Sequence, residues 1–251
     1  MAPNIGNRVE VVAHGGTALT LRGLKGNTKD LDINIIKKEW FEEICRTLEV
    51  MGYKKKFDFM AKPESEHNIR YISDRYIVDT VDLYHPTWNN WSITDTVERR
   101  ADNLKFGNLT VVLPDIETVF LFKTYPNREI DIEDLRSIIL KNTLDANSVI
   151  GLFREQESIL RTRKDIDPVI SIVNLRSRFY LSISDLKRLC DDKRIGILYN
   201  FASVEFNGLH INLGHDELAG MIRSQGKELG LEWETFIHSN HKEFAKALGI
   251  H

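Results

Sequence analysis

An α/β amino-terminal part followed by a mainly helical carboxy-terminal part is the fold class this chain predicts, and three observations predict it. Val9-Glu10-Val11-Val12-Ala13 is a β-branched run that enters Gly15-Gly16 and then an apolar stretch with Ala18 and Leu19, the pattern of strand, tight turn and short helix. Asp30-Leu31-Asp32-Ile33-Asn34-Ile35 alternates with a period of two, as a half-buried strand does. From Asp145 onward apolar residues recur at helical spacing instead, as in Val149, Leu152, Phe153 and Leu160. A length of 251 residues, 42% apolar content and six prolines suit one large or two modest folded domains.

The elements follow in order. The first helix ends near Gly23, and Lys25-Gly26-Asn27-Thr28-Lys29 reads as a polar loop before the strand that starts at Asp30. Trp40, Ile44, Leu48 and Met51 share a helical face, with Gly52 placed to close that helix. Tyr53 to Ala61 alternates as a strand; its Lys54-Lys55-Lys56 start is either a solvated strand end or a contact for a nucleic-acid backbone. Residues 68–84 read as a hairpin turning at Ser73-Asp74, with Arg75 to Tyr84 as its strand-like second arm. Val111 to Pro114 ends another strand, and Asp115 suits the N-cap of a helix that brings Val119, Phe122 and Lys123 within one turn. Near residue 142 the pattern changes. Leu186 and Leu189, then Leu218, Met221 and Ile222, then Phe236, Phe244 and Leu248 continue the helical periodicity, interrupted by a small hairpin expected around Asn207-Gly208 from Ser203–Phe206 and His210–Leu213.

Strand alternation places Asp30, Asp32 and Asn34 on one face and Leu31, Ile33 and Ile35 on the other. Glycines in the preceding turn let the backbone approach a ligand, and the first N–H groups of a helix favour an anion such as a triphosphate. Gly15 and Gly16 are therefore the candidates to hold phosphate oxygens, with the Thr17 hydroxyl beside them. Mg²⁺ takes one or two protein carboxylates and completes its octahedron with water and substrate phosphate. A D-x-D pair that begins 14 residues after Gly16 suits a metal–nucleotide complex. Lys123 sits at the border of an apolar stripe, either as an ordinary helix edge or as an ammonium reaching phosphate oxygens while its stem packs. Asp131 and Asp134 suit the charged start of the next helix.

Gly15-Gly16 followed by Asp30-Leu31-Asp32 resembles the signature of the polymerase-β-like nucleotidyltransferase superfamily, a glycine pair, a spacer of about a dozen residues and an Asp-x-Asp flanked by apolar residues. The segment Leu113-Pro114-Asp115 to Lys123, then Arg128 and Asp131-Ile132-Glu133-Asp134-Leu135-Arg136, is similar to the corresponding part of AbiE-type toxins and related nucleotidyltransferases. The resemblance spans residues 8 to 141 and departs at two places, Thr17 where Ser is usual and Glu129 where Lys is more frequent. Helical periodicity beyond residue 142 predicts a mainly helical domain over 143–251, and the resemblance implies an α/β (α+β) nucleotidyltransferase-like catalytic domain with a mixed sheet over residues 1–142. It also implies a third carboxylate from a later strand. Asp82, in Val81-Asp82-Leu83, fits that motif best, with Asp79 as the alternative; their opposite parity means a regular strand aims only one of them at the metal.

What the resemblance implies is a Mg²⁺-dependent (or Mn²⁺-dependent) enzyme that transfers a nucleoside monophosphate from an NTP to a hydroxyl acceptor. Asp30, Asp32 and Asp82 would bind metal, Gly15, Gly16, Thr17, Lys123 and Arg128 would bind nucleotide, and Lys123 would offset growing negative charge. RNA such as tRNA is the favoured acceptor, and a toxin–antitoxin or phage-defence setting with a cognate antitoxin is the implied context. The alternative is a non-catalytic nucleotide- or RNA-binding module on the same fold. The sequence has no G-x-x-x-x-G-K-[ST] phosphate loop and no G-x-S-x-G nucleophile turn, which speaks against the common kinase and hydrolase classes.

The amino terminus lacks the apolar core of a signal peptide and no apolar run reaches membrane-span length, so a cytoplasmic protein with no membrane partner is expected. Cys45 and Cys190 are isolated, which suggests neither a disulfide framework nor a zinc site. Net charge is −3. Residues 150 to 200 carry ten Lys or Arg against seven Asp or Glu, either an ordinary helical surface or a groove for RNA phosphates.

Overall fold

The computed structural model describes residues 4–56, 68–85, 91–126, 128–209 and 230–250. By internal contacts the chain forms two compact units, Met1–Val119 and Phe120–His251. The first is a mixed α/β unit and the second is helical. The sequence reading put the division at residue 142, after the helix Glu129–Lys141; that helix belongs with the second unit because it packs on the long helix Pro168–Leu189.

The first unit is built from β1 (Val9–Ala13), α1 (Gly15–Leu21), β2 (Asp30–Asn34), α2 (Lys38–Val50), β3 (Lys54–Lys56), β4 (Asn68–Ile72), β5 (Thr80–Tyr84), α3 (Asp95–Arg100), β6 (Asp102–Phe106) and β7 (Leu109–Leu113). A helix α4 (Ile116–Lys123) runs across the division between units. The strands form one seven-stranded mixed sheet in the order β3-β4-β5-β2-β1-β7-β6. β1 pairs parallel with β7, β2 pairs parallel with β5, and the other neighbours are antiparallel. The period-two pattern then sorts the residues by face. Val9, Val11, Ile33, Tyr71, Val81 and Leu83 join a core with Phe41, Ile44 and Leu48 of α2. Asp30, Asp32, Thr80, Asp82 and Arg70 occupy the other face.

Two expectations change here. The second hairpin arm is shorter than Arg75–Tyr84: β5 starts only at Thr80, and residues 73–79 form the loop, closed by Ser73 N–H donating to Asp79 O at 2.8 Å. The pairing of Asn68 with Tyr84 and Ile72 with Thr80 centres the hairpin on residue 76 rather than on Ser73-Asp74. Tyr76 stabilises this wider loop by stacking on Tyr53, with ring centroids 5.2 Å apart. Of the strand expected over 53–61, β3 accounts for Lys54–Lys56, all exposed, and residues 57–61 lie outside the described residues.

In the second unit, α5 (Glu129–Lys141), α6 (Ala146–Thr162), α7 (Pro168–Leu189), α8 (Lys193–Asn207), α9 (Gly230–Ser239) and α10 (His241–Leu248) pack as a helical bundle. Asp145, Asp167 and Asp192 cap α6, α7 and α8, each carboxylate accepting a backbone N–H of the first turn. Phe153, Phe179, Phe206 and Phe244 are fully buried. Ser203–Phe206, expected as a hairpin arm, is the last turn of α8, where Phe206 completes the apolar face and stacks on Tyr180 at 4.4 Å; the other expected arm, 210–213, and Leu218, Met221 and Ile222, expected at helical spacing, lie outside the described residues. Among the described residues, no helix is long and apolar enough to cross a membrane.

Candidate functional site

The site grows from the turn between β1 and α1. Gly15 has φ of 55°, a left-handed conformation that favours glycine. A Cβ at Gly15 would lie 2.5 Å from Asp32 Oδ2, and one at Gly16 would lie 2.8 Å from Thr28 Oγ1. The two glycines therefore let the start of α1 close onto the carboxylate strand, and both are buried. Thr17 completes the junction. Its hydroxyl accepts from Asp32 N–H at 2.8 Å and lies 3.4 Å from Asp30 O. The buried Thr17 hydroxyl thus serves strand backbone where α1 meets β2, a different setting from the phosphate contact that the resemblance implies.

Asp30 and Asp32 lie on one face of β2 and are half-buried. Asp82 is the register partner of Asp32 on the adjacent parallel strand, as Thr80 is of Asp30. Side chains at such paired positions point to the same side of a sheet, so the structure sets Asp32 and Asp82 side by side, with Asp30 one step along. Asp79 stands outside β5, exposed, with its carboxylate accepting from the Thr80 hydroxyl at 3.0 Å.

The Asp82 carboxylate is 10% exposed and is gripped by Arg70, opposite it on β4. Arg70 Nε donates to Asp82 Oδ1 at 2.7 Å and Nη2 to Oδ2 at 2.8 Å, a bidentate pair. This hydrogen bonding raises the Arg70 pKa above its ordinary value, against the opposing effect of burial. Asn34, two residues beyond Asp32 on the same face, is fully buried, and neither its amide nitrogen nor its amide oxygen has a hydrogen-bond partner among the described residues. His14, 3% exposed, lies between β1 and α1 with its ring 4.9 Å from Tyr84. Sequence reasoning missed Arg70. Its signal was the hairpin register: a turn centred on residue 76 places Arg70 opposite Asp82, whereas one centred at Ser73-Asp74 does not.

The donor set offers oxygen ligands only, two carboxylates at i and i+2 and a third on the next strand, which fits the hard cation Mg²⁺. Among the described residues no three His, Cys, Asp or Glu form a group that could hold a metal ion. A cavity of about 440 Å³ opens beside the 73–79 loop, lined by Gly52, Lys54, Ser73, Asp74, Asp79 and Thr80. It adjoins the carboxylate face through Lys54, Ile72 and Thr80, the register row that ends at Asp30.

Lys123 and Arg128 have a different setting from the one expected. Residues 118–123 of α4 are buried on every side, so Lys123, 5% exposed, is no stripe edge. Its ammonium donates to Asp131 Oδ1 and Asp134 Oδ2, both at 2.8 Å. Asp131 also accepts from Arg128 Nε at 2.7 Å and from Arg128 backbone N–H at 3.3 Å. Burial works against the Asp131 charge, yet Arg128 and Lys123 together hold its pKa below the usual carboxylate range. Asp115 caps α4 as expected, accepting from Thr118 N–H at 3.0 Å.

In the helical unit, Arg161 and Arg176 share Glu157, while Arg163, Arg188 and Arg194 pair with Asp165, Asp185 and Asp192. These pairs favour the reading of that region as an ordinary helical surface. Cys45 and Cys190 are free thiols whose pKa burial raises.

The fold and this face define a mixed α/β unit that aligns half-buried and buried carboxylates beside a buried glycine turn. Comparison of the chain with models of known protein families and with curated proteins found no match.

Proposed function

We propose that this protein is a Mg²⁺-dependent nucleotidyltransferase of the polymerase-β-like type, moving a nucleoside monophosphate from an NTP to a hydroxyl acceptor, with RNA such as tRNA as the acceptor. One observation carries the reading: Asp32 and Asp82 are register neighbours on adjacent parallel strands, with a glycine turn so close that a Cβ added at Gly15 would lie 2.5 Å from Asp32 Oδ2. Asp30, Asp32 and Asp82 would hold the ion, and Mg²⁺ or Mn²⁺ (when bound) supplies charge neutralisation for the triphosphate. The acceptor oxygen would attack the α-phosphorus as the bond from that phosphorus to the bridging oxygen breaks and pyrophosphate leaves, and Asp82 would either help hold the metal or take the acceptor proton. Gly15, Gly16 and Thr17 give the site its shape by letting α1 start against Asp32. Lys123 and Arg128 serve in this reading as the structural clasp on Asp131 and Asp134, rather than as groups on the nucleotide. A toxin–antitoxin role with a cognate antitoxin belongs to the same proposal.

A second reading, a non-catalytic nucleotide- or RNA-binding module, is favoured by the engagement of both Asp82 oxygens with Arg70. One experiment separates the two. The purified protein is incubated with each α-labelled NTP, Mg²⁺ and either total tRNA or cell extract, beside an Asp30→Ala/Asp32→Ala variant. Label that enters RNA or protein and vanishes in the variant establishes transfer; NTP binding with no label in any combination establishes the module.

A further inference from the structure

The register of the outer four strands carries more than the three carboxylates. Lys56 pairs with Arg70, Arg70 with Asp82, and Asp82 with Asp32. The next row is Lys54, Ile72, Thr80 and Asp30. Directly paired residues project from the same face, and neighbouring strands lie roughly 4.8 Å apart. The face is therefore ordered by charge: carboxylates on β2 and β5, cations on β4 and β3. Arg70 stands at the boundary, its side chain 46% exposed above an Asp82 that is 10% exposed.

A guanidinium carries five N–H donors. Arg70 commits Nε and Nη2 to Asp82; among the described residues it makes no other hydrogen bond, and Asp30 on the same face also favours its charge. Lys54 and Lys56 are exposed, and among the described residues neither forms an ion pair. Beneath the row, Asn34 holds two buried and unpartnered amide atoms on the carboxylate face. Buried polar groups of this kind are ordinarily satisfied, so Asn34 marks the carboxylate face as a polar one.

We propose that Arg70 is the triphosphate-binding residue of this site and a metal-linked gate: it holds Asp82 until a metal–nucleotide complex arrives, then turns its guanidinium to the β- and γ-phosphate oxygens, with Lys54 and Lys56 extending the cationic row. The inference rests on the nucleotidyltransferase reading and identifies its phosphate side. In this arrangement the triphosphate would run from Asp32 across Asp82 toward Arg70, with Lys56 at the end of that row and Lys54 in the next. Free metal and Arg70 compete for Asp82; metal with nucleotide does not, because the phosphates give Arg70 a replacement partner. Binding of the two ligands is thereby coupled.

The test is binding of Mn²⁺ alone, followed by electron paramagnetic resonance, and of Mn²⁺ with an α,β-methylene NTP, followed by calorimetry, for wild type, Arg70→Gln and Arg70→Lys. Arg70→Gln is expected to bind Mn²⁺ alone about tenfold more tightly and the nucleotide complex roughly tenfold or more weakly, the loss set by charge-assisted hydrogen bonds. Arg70→Lys, which keeps the charge, should recover much of the nucleotide affinity. A purely structural Arg70 would instead weaken both ligands together, with faster hydrogen exchange in β4 and β5; that result, or Arg70 variants that bind as wild type does, overturns the inference while the functional reading stands. A wild-type protein that binds neither Mn²⁺ nor nucleotide overturns both.

Discussion

Replacing Lys123 with Met should unfold the helical unit far more readily than any surface substitution. The Lys123 side chain is 6% exposed, Asp131 is fully buried and Asp134 is 10% exposed, so water cannot screen the two carboxylates once the ammonium is gone. Removing one partner of a buried ion pair costs about 3–5 kcal/mol, most of it the penalty on the charge left behind. With a urea slope of roughly 2 kcal/mol/M, that becomes a midpoint shift of about 1.5–2.5 M. The shift is read by urea denaturation combined with hydrogen exchange of α5 and α7, which isolates the second unit. Arg128 stays on Asp131 in the variant, which favours the lower end of the range. A Lys123→Met/Asp131→Asn/Asp134→Asn variant should regain most of the loss, because no charge then remains buried. A shift below about 0.3 M for Lys123→Met, on the same slope, would refute the clasp and return Lys123 to the list of groups available for phosphate.

Two further outcomes are expected. Gly15→Ala must place a Cβ 2.5 Å from Asp32 Oδ2 at φ of 55°; the left-handed backbone alone costs roughly 1–2 kcal/mol, so its melting temperature should fall and its nucleotide binding should weaken, and a variant as stable as wild type would count against the tight junction. Acid should loosen the helical unit through Asp131, Glu157 and Asp192, all of whose pKa values are lowered in the folded state, Asp192 to about 2 by its hydrogen bond from Arg194. A depressed folded pKa contributes stability that is complete above the unfolded value near 4 and is lost as pH falls through the folded value. Melting temperature should therefore hold from pH 7 to about 5 and fall between roughly 4 and 2, with a shallower fall in Glu157→Gln.

Much of the site could be read without coordinates because it rests on local rules. Strand alternation puts Asp30, Asp32 and Asn34 on one face whatever the rest of the chain does, and glycine at a strand–helix junction permits a backbone that other residues resist. Helical periodicity likewise marked the second half, and Asp115 announced the start of α4. What the sequence could not decide depends on long-range pairing. The position of the 73–79 loop moves every residue of β4 relative to β5, so whether Arg70 faces Asp82 is settled only when Tyr76 stacks on Tyr53 and Ser73 closes on Asp79. Thr17 and Lys123 show the same limit. Their types suit a phosphate site in sequence, but the hydroxyl is claimed by β2 and the ammonium by two buried carboxylates. Local periodicity tells which way a side chain points along its own element; only tertiary packing decides what it meets there, because burial makes each polar atom take the nearest partner that the assembled chain supplies.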